Sequence, residues 1–273
     1  SEKRLYARKR LIEEMYKCEP YGTSKCGTEQ DVEKITAKSL YGAWQDVLSH
    51  AFLRVNVISR SMPQGLFDGI ADRLSAFERE DITDTKKAEK VNTVTENMDI
   101  AQGKLVMGFS SNTYGDEESA SNLSVMCDIF GSGPYSRLFC NVREKMSLCY
   151  YCSASCVKSK GLIVVDCGVE KENAEKAQNE ILNQLEIMKS GNFSDSEFDS
   201  SLKSITDSLN SYNDSQGLLD LWYSVKIFKD RILSPEDTAD ILSKITREDV
   251  TNIAKGINLH TVYKLLPKEE GDK

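Results

Sequence analysis

The chain has 273 residues, 40% of them hydrophobic and 29% charged, and its 43 Asp and Glu against 35 Lys and Arg leave a net charge of −8. That balance argues against a nucleic-acid or anionic-membrane binder, since both need a basic footprint. A chain of this length can bury roughly 75% of its unfolded surface in one or two cores. No apolar stretch approaches the ~20 residues of a membrane-spanning helix, and residues 1–10 are charged where an export signal would be apolar, so neither a span nor export is expected. The eight cysteines lack the regular spacing of a small secreted scaffold and point to a reducing, cytoplasmic location.

In chain order, Leu11, Ile12 and Met15 put an apolar stripe on an opening helix that ends before Pro20, Gly22 and Gly27. Thr36 is a plausible N-cap for a second helix carrying Leu40, Trp44, Val47 and Leu48; residues 52–58 alternate as a strand, and 66–77 form a third helix. Residues 79–99 are charged and rich in Thr, Asn and Lys, which suits a connector or an edge strand and places the domain boundary there. Residues 103–110 make a strand, followed by a helix with Leu123, Met126, Cys127 and Phe130 on one face. A turn at Gly131-Ser-Gly-Pro-Tyr opens a short helix reaching Lys145. Residues 148–157 and 162–169 then form a hairpin through residues 158–161. Ala174, Ala177, Ile181, Leu185 and Met188 stripe a long helix ended by Gly191, and Phe198, Leu202, Ile205, Leu209 and Tyr212 stripe the next. Residues 218–228, apolar on most sides, are expected to be buried. Ser234-Pro-Glu-Asp and Thr246-Arg-Glu-Asp start two more helices, and a closing strand runs over 257–266.

One internal comparison concerns the whole chain. Lys34-Ile-Thr36 recurs as Lys244-Ile-Thr246, Leu40 answers Val250, His50 answers His260, Phe52 answers Val262 and Arg54 answers Lys264, all at an offset of 210 residues. A shared cap, helix and strand in constant register indicate a duplicated fold unit. The second unit would be whole and only the tail of the first present, which makes the sequence read as part of a longer protein.

Three sets of residues invite a chemical reading. Cys149, Cys152 and Cys156 form C-x2-C-x3-C, but strand alternation sends Cys149 to the face opposite the other two, so no metal site is expected and the thiols read as buried or half-buried. Cys18 and Cys26 flank a turn and would pair only under oxidation. His50 and His260, each where a helix gives way to a strand, read as structural histidines without an acidic partner at helical spacing, and no H-x-x-E-H or H-E-x-x-H motif is present. The third set is the run from Gly131 to Tyr151. Its glycines fit neither phosphate-loop pattern, and by composition Arg143 is a helix-end cation and Tyr150 a strand-start aromatic.

That run, with the strand pair and two long helices after it, resembles the C-terminal half of the pitrilysin/insulin-degrading-enzyme family of zinc metallopeptidases, the inverzincins that include mitochondrial processing peptidase. Residues 1–60 likewise resemble the tail of the family's N-terminal half. The resemblance implies an α+β fold of duplicated units, with an antiparallel-rich sheet packed against helices and the first unit incomplete: 1–82 the remainder of the first unit, 83–99 a connector, 100–273 a complete second, non-zinc unit. It implies that Arg143 and Tyr150, seven residues apart, are catalytic donors to the substrate carbonyl, with Tyr151 the alternative in register. Gly131, Ser132, Gly133 and Tyr135 would form a flexible, substrate-binding loop. The strands at 103–110 and 148–157 would offer edges for an extended or unfolded peptide. No cofactor is expected in this chain; zinc would sit in a missing or partner catalytic unit, with dimer formation open, and hydrolysis is not expected from this chain alone. The alternative reading is a non-catalytic scaffold or regulatory paralogue that pairs with an active zinc subunit.

Overall fold

The computed structural model describes residues 2–17, 19–51, 55–61, 65, 85–111, 116–226 and 232–268. The chain divides into two compact units. The larger comprises Ser1–Thr23, Thr83–Asp207 and Asp237–Lys273, and the smaller Ser24–Ile82 and Ser208–Glu236. A cut between the units falls at Ile82/Thr83, where the sequence boundary lies, whereas residues 1–23, with the opening helix, and 83–99 fall in the larger unit.

In the larger unit a five-stranded mixed sheet runs in the order β1-β5-β2-β4-β3, formed by β1 (Asn92–Met98), β2 (Gly103–Ser110), β3 (Cys149–Val157), β4 (Leu162–Val169) and β5 (Asn258–Pro267). β1 lies parallel to β5 and every other pair is antiparallel. The stretch expected as a connector at 83–99 therefore contains an edge strand of this sheet. Its Thr-Val-Thr alternation gives it one half-buried face. β4 is buried along its whole length, as a strand covered on both faces must be.

One face is covered by α1 (Glu2–Met15), whose Ala7, Leu11 and Met15 meet Val106, Leu162, Val164, Tyr263 and Leu265. The approach over β2 is close: a Cβ at Gly108 would stand 2.7 Å from the Met15 sulfur. Arg8 ties α1 to the sheet through an Nη1 to Asp166 Oδ2 contact of 2.8 Å. The alternate residues Leu105, Met107, Phe109, Ile163 and Val165 are also buried, on the opposite face. On that side lie α4 (Glu117–Gly131), α5 (Ala174–Lys189) and α9 (Arg247–Lys255), with α9 packed on both α4 and α5. α6 (Asp195–Asn210) and α8 (Pro235–Leu242) begin where the sequence places them.

The smaller unit holds α2 (Glu29–Glu33), α3 (Ala37–His50) and α7 (Gln216–Ser224). Its inner anchor is Trp222, whose indole N–H donates to the Leu233 carbonyl at 2.9 Å and whose ring lies 5.0 Å from that of Tyr212. Leu218, Leu221 and Val225 are exposed, so the expected burial of 218–228 fails over its described part, because nothing described in this unit covers that side of α7. The expected strand at 52–58 is not formed over residues 55–58, which pair with no strand among the described residues. Phe52, Arg54, the helix expected at 66–77 and Cys18 lie outside the described residues.

The internal repeat has a structural counterpart. Thr36 and Thr246 each make a reciprocal capping box, with Ser39 and Asp249 as the respective third residues. The helices they start differ in surroundings. Val250 and Ala254 of α9 are fully buried, whereas Leu40 and Trp44, their counterparts in α3, are 61% and 51% exposed. Among the described residues no helix is long and apolar enough to cross a membrane.

Candidate functional site

Three local departures from regular geometry fall within thirteen residues. Residues Leu138–Lys145 wind as a π-helix, Ser147 takes a left-handed backbone at φ 51°, and β3 carries a bulge at Tyr150. Each costs free energy relative to regular backbone, and such features concentrate where a chain must aim particular side chains. All three fall within the run from Gly131 to Tyr151 that the sequence singles out.

The turn before the π-helix is built close to β3. A Cβ on Gly131 would come within 2.7 Å of both the Cβ and the backbone nitrogen of Ala154, so glycine is what lets the end of α4 meet the strand. Ser132 Oγ donates to the Ala154 carbonyl at 3.2 Å, and the Tyr135 hydroxyl, lying over Gly133, donates to Asp128. Burial raises the Asp128 pKa, and burial together with this carboxylate pushes Tyr135 up to about 12. Gly131, Ser132, Gly133 and Tyr135 thus form a turn pinned to α4 and β3, and Gly131 itself is the last residue of α4. The expectation of a flexible loop is corrected by these bonds.

Arg143 is half-buried and Tyr150 exposed, and the two flank Cys149. The Arg143 guanidinium lies 4.7 Å over the Phe139 ring and 3.5 Å from Glu144, and its charge reaches Cys149. Tyr150 is 57% exposed and its hydroxyl donates to Glu170, which raises its pKa. Tyr151 points to the other face, as alternation requires. There it is half-buried over Gly168, with the Arg4 guanidinium 4.6 Å from its ring, and burial pushes its pKa up to about 12. Of the two strands expected as free edges, β3 is one; β2 is not, because β5 and β4 flank it on either side.

The cysteines depart most from expectation. The bulge sets both Cys149 and Tyr150 opposite Val169, which shifts the alternation by one residue and turns Cys149 to the same face as Cys152. Cys152 pairs directly with Cys167 across the hairpin, and the three sulfurs lie within 4.8 Å of one another. The reading that Cys149 faces away from Cys152 is therefore wrong, and Cys167 had been overlooked. Its signal was available: Cys152 and Cys167 stand equally far outside the 158–161 turn. Cys156 belongs elsewhere, with its thiol against that of buried Cys127. Hydrogen bonds from the Cys152 and Cys167 thiols, aided by the Arg143 charge, hold Cys149 well below the usual thiol range despite its partial burial. The donating thiols are pushed up in turn, first by the bond to Cys149 and then by burial.

The histidines take no part in this site. His50 is exposed and its Nδ1 lies 3.0 Å from Asp46 Oδ1, one helical turn earlier, which corrects the expectation that it has no acidic partner. His260 is the extra residue of a bulge in β5, and burial lowers its pKa.

Residues 34–205 match the family described as the peptidase M16 inactive domain. Over 268 residues, 96% of this chain and 62% of the relative, the sequence is 32% identical to a Bacillus subtilis (strain 168) protein described as "Probable inactive metalloprotease YmfF". A 94-residue stretch is 29% identical to an "Uncharacterized zinc protease" of Rickettsia bellii (strain RML369-C), covering 34% of this chain and 23% of that one. A conserved protein from Enterococcus faecalis V583 shares the fold at a TM-score of 0.84 and 23% identity, over 99% of this chain and 65% of that one. A peptidase M16 inactive domain from Pseudomonas fluorescens does so at 0.74 and 19%, over 96% of this chain and 65% of that one. The chain thus spans 62% of the Bacillus relative's length.

Proposed function

The chain belongs to the peptidase M16 inactive-domain family, and from that premise we propose that it is the non-zinc, peptide-holding half of an M16-type assembly. The observation that carries this reading is the β3 edge. Among the described residues it is the outer strand beside which a half-buried guanidinium and an exposed phenol, Arg143 and Tyr150, are set by a π-helix and a bulge. An extended peptide added to that edge would gain sequence-tolerant backbone hydrogen bonds. The two donors could then turn from Glu144 and Glu170 to a developing oxyanion. The metal that polarises the scissile carbonyl would be zinc held by a partner unit, since the sequence contains no H-x-x-E-H.

The apolar face of α3 supports the call for such a partner. Leu40, Trp44 and Val47 are exposed, while their repeat counterparts Val250, Ala254 and Ile257 are buried, with α9 packed on α4 and α5. We assign this face to the zinc-bearing unit, which would cover it as the larger unit covers α9.

A second reading has its own support. Both donors are already engaged, Arg143 with Phe139 and Glu144 and Tyr150 with Glu170, and the Bacillus relative is described as inactive. On this reading the chain is a scaffold that pairs with an active subunit. Peptide hydrolysis measured with zinc separates the two, with and without a zinc-bearing homologue supplied, on the unmutated chain and on Arg143→Ala. Activity confined to the supplemented, unmutated sample supports the peptide-holding half. Unchanged activity in the supplemented Arg143→Ala sample, with association intact, refutes it in favour of the scaffold.

A further inference from the structure

We propose that Cys149, Cys152 and Cys167 form a thiolate site for a zinc-class ion, separate from any zinc that a catalytic partner carries. The three sulfurs lie within 4.8 Å of one another. Three thiolates around zinc at about 2.3 Å stand about 3.8 Å apart at tetrahedral angles, so the ligands would close by at most about 1 Å to bind. Side-chain rotation achieves that without moving a strand.

The backbone is what assembles the set. Cys152 and Cys167 are direct cross-strand partners in a hairpin, and the bulge at Tyr150 brings Cys149 onto their face. In a regular strand Cys149 would point toward α1. The bulge therefore has a specific consequence in side-chain chemistry: it converts a pair of thiols into a trio.

The surroundings suit a soft cation. Cys152 and Cys167 are 4% and 1% exposed, so two ligands are shielded from water, while half-buried Cys149 leaves a way in. Sulfur is the sole donor type in the cluster, which selects against magnesium and calcium and favours thiophilic ions. Three thiolates on a divalent ion leave one negative charge, and Arg143, whose charge already reaches Cys149, would offset it. The fourth position would be open to solvent beside Cys149, as in a three-ligand zinc site. Leu105, directly opposite Cys167 in β2, and Val165 on the same sheet face are apolar and buried, which gives such an ion a dry floor.

The test uses the full chain, reduced and freed of metal, titrated with Co(II) as a spectroscopic probe and then with Zn(II). One equivalent of Co(II) per chain is expected to bind, with thiolate-to-cobalt charge-transfer absorption that one equivalent of Zn(II) abolishes. Cys149→Ser and Cys167→Ser should each weaken binding at least tenfold, whereas Cys26→Ser and Cys140→Ser, which alter exposed thiols outside the cluster, should leave it unchanged. Because Cys149 is half-buried, its serine variant tests the site even if Cys167→Ser fails to fold. Binding that lacks the charge-transfer absorption overturns the proposal. So does binding that survives Cys149→Ser, such as at His50 and Asp46, or a Cys152–Cys167 disulfide in place of stoichiometric uptake.

Discussion

The contact between α1 and the sheet gives the most direct check of how the larger unit is held. Asp166 stands in β4, with its side chain 3% exposed, and Arg8 reaches it from α1 at 2.8 Å while also donating to Ser155 Oγ at 3.0 Å. Arg4 lies 3.7 Å from the same carboxylate oxygen, and Asp166 Oδ1 has no hydrogen-bond partner among the described residues. Removing one member of a buried pair costs about 3–5 kcal/mol, because the other charge is left stranded. Here Arg8 is 34% exposed and Arg4 remains as a second cation, so solvent screening and the residual pair reduce the expected loss for Arg8→Met to about 2 kcal/mol. Methionine keeps an apolar stem across the sheet, which isolates the charge from the packing. Adding Asp166→Asn to Arg8→Met should recover about half of that loss, since the stranded charge is gone. Urea unfolding with a constant slope measures both variants. If the double variant is no more stable than Arg8→Met, or Arg8→Met costs less than about 0.5 kcal/mol, the charge is not what anchors α1.

Three further outcomes follow from the packing of the two units, each taken by itself. Gly131→Ala should destabilise by about 1–3 kcal/mol although alanine favours helix, because the new Cβ meets Ala154 and Leu138 within 2.8 Å; an unchanged urea midpoint would refute the close approach of α4 to β3. Val250→Ala should cost about 2 kcal/mol and Leu40→Ala under about 0.5 kcal/mol, despite their equivalent places in the repeat, and equal losses would show that α3 is covered within this chain. Burial alone would raise the Glu96 pKa, but hydrogen bonds from Tyr263 and Tyr6 and the nearby Arg10 outweigh it, so the net direction is down from 4.5. A carboxylate depressed in the fold contributes stability above its unfolded value and loses it as pH falls through the folded one. Melting measured below pH 4.5 should therefore show a steeper acid loss in the parent chain than in Glu96→Gln, and parallel curves would refute the assignment.

The resemblance carried by the Gly131 to Tyr151 run holds at the level of family and fold, since residues 34–205 match the M16 inactive domain. It was legible because helices and strands leave periodic traces. The stripe of Ala177, Ile181, Leu185 and Met188 needs only neighbours three and four residues away to declare a helix. The caps at Thr36 and Thr246 depend on contacts three residues ahead, and both are present. The hairpin at 158–161 is likewise local, with Gly161 in the left-handed conformation its turn requires.

What the sequence by itself determined is therefore the order and kind of most elements, their caps, and the family. The tertiary structure alone decided that β2 is an inner strand, that α3 keeps its apolar face exposed, and that Cys149 joins Cys152 and Cys167. Each of these depends on partners far along the chain. A strand's place in the sheet is set by which strands flank it, a helix face is buried only if something is supplied to cover it, and one bulged residue reverses every side chain on its far side. Periodicity of two or of 3.6 reports a residue's immediate surroundings, and it carries no term for any of these three.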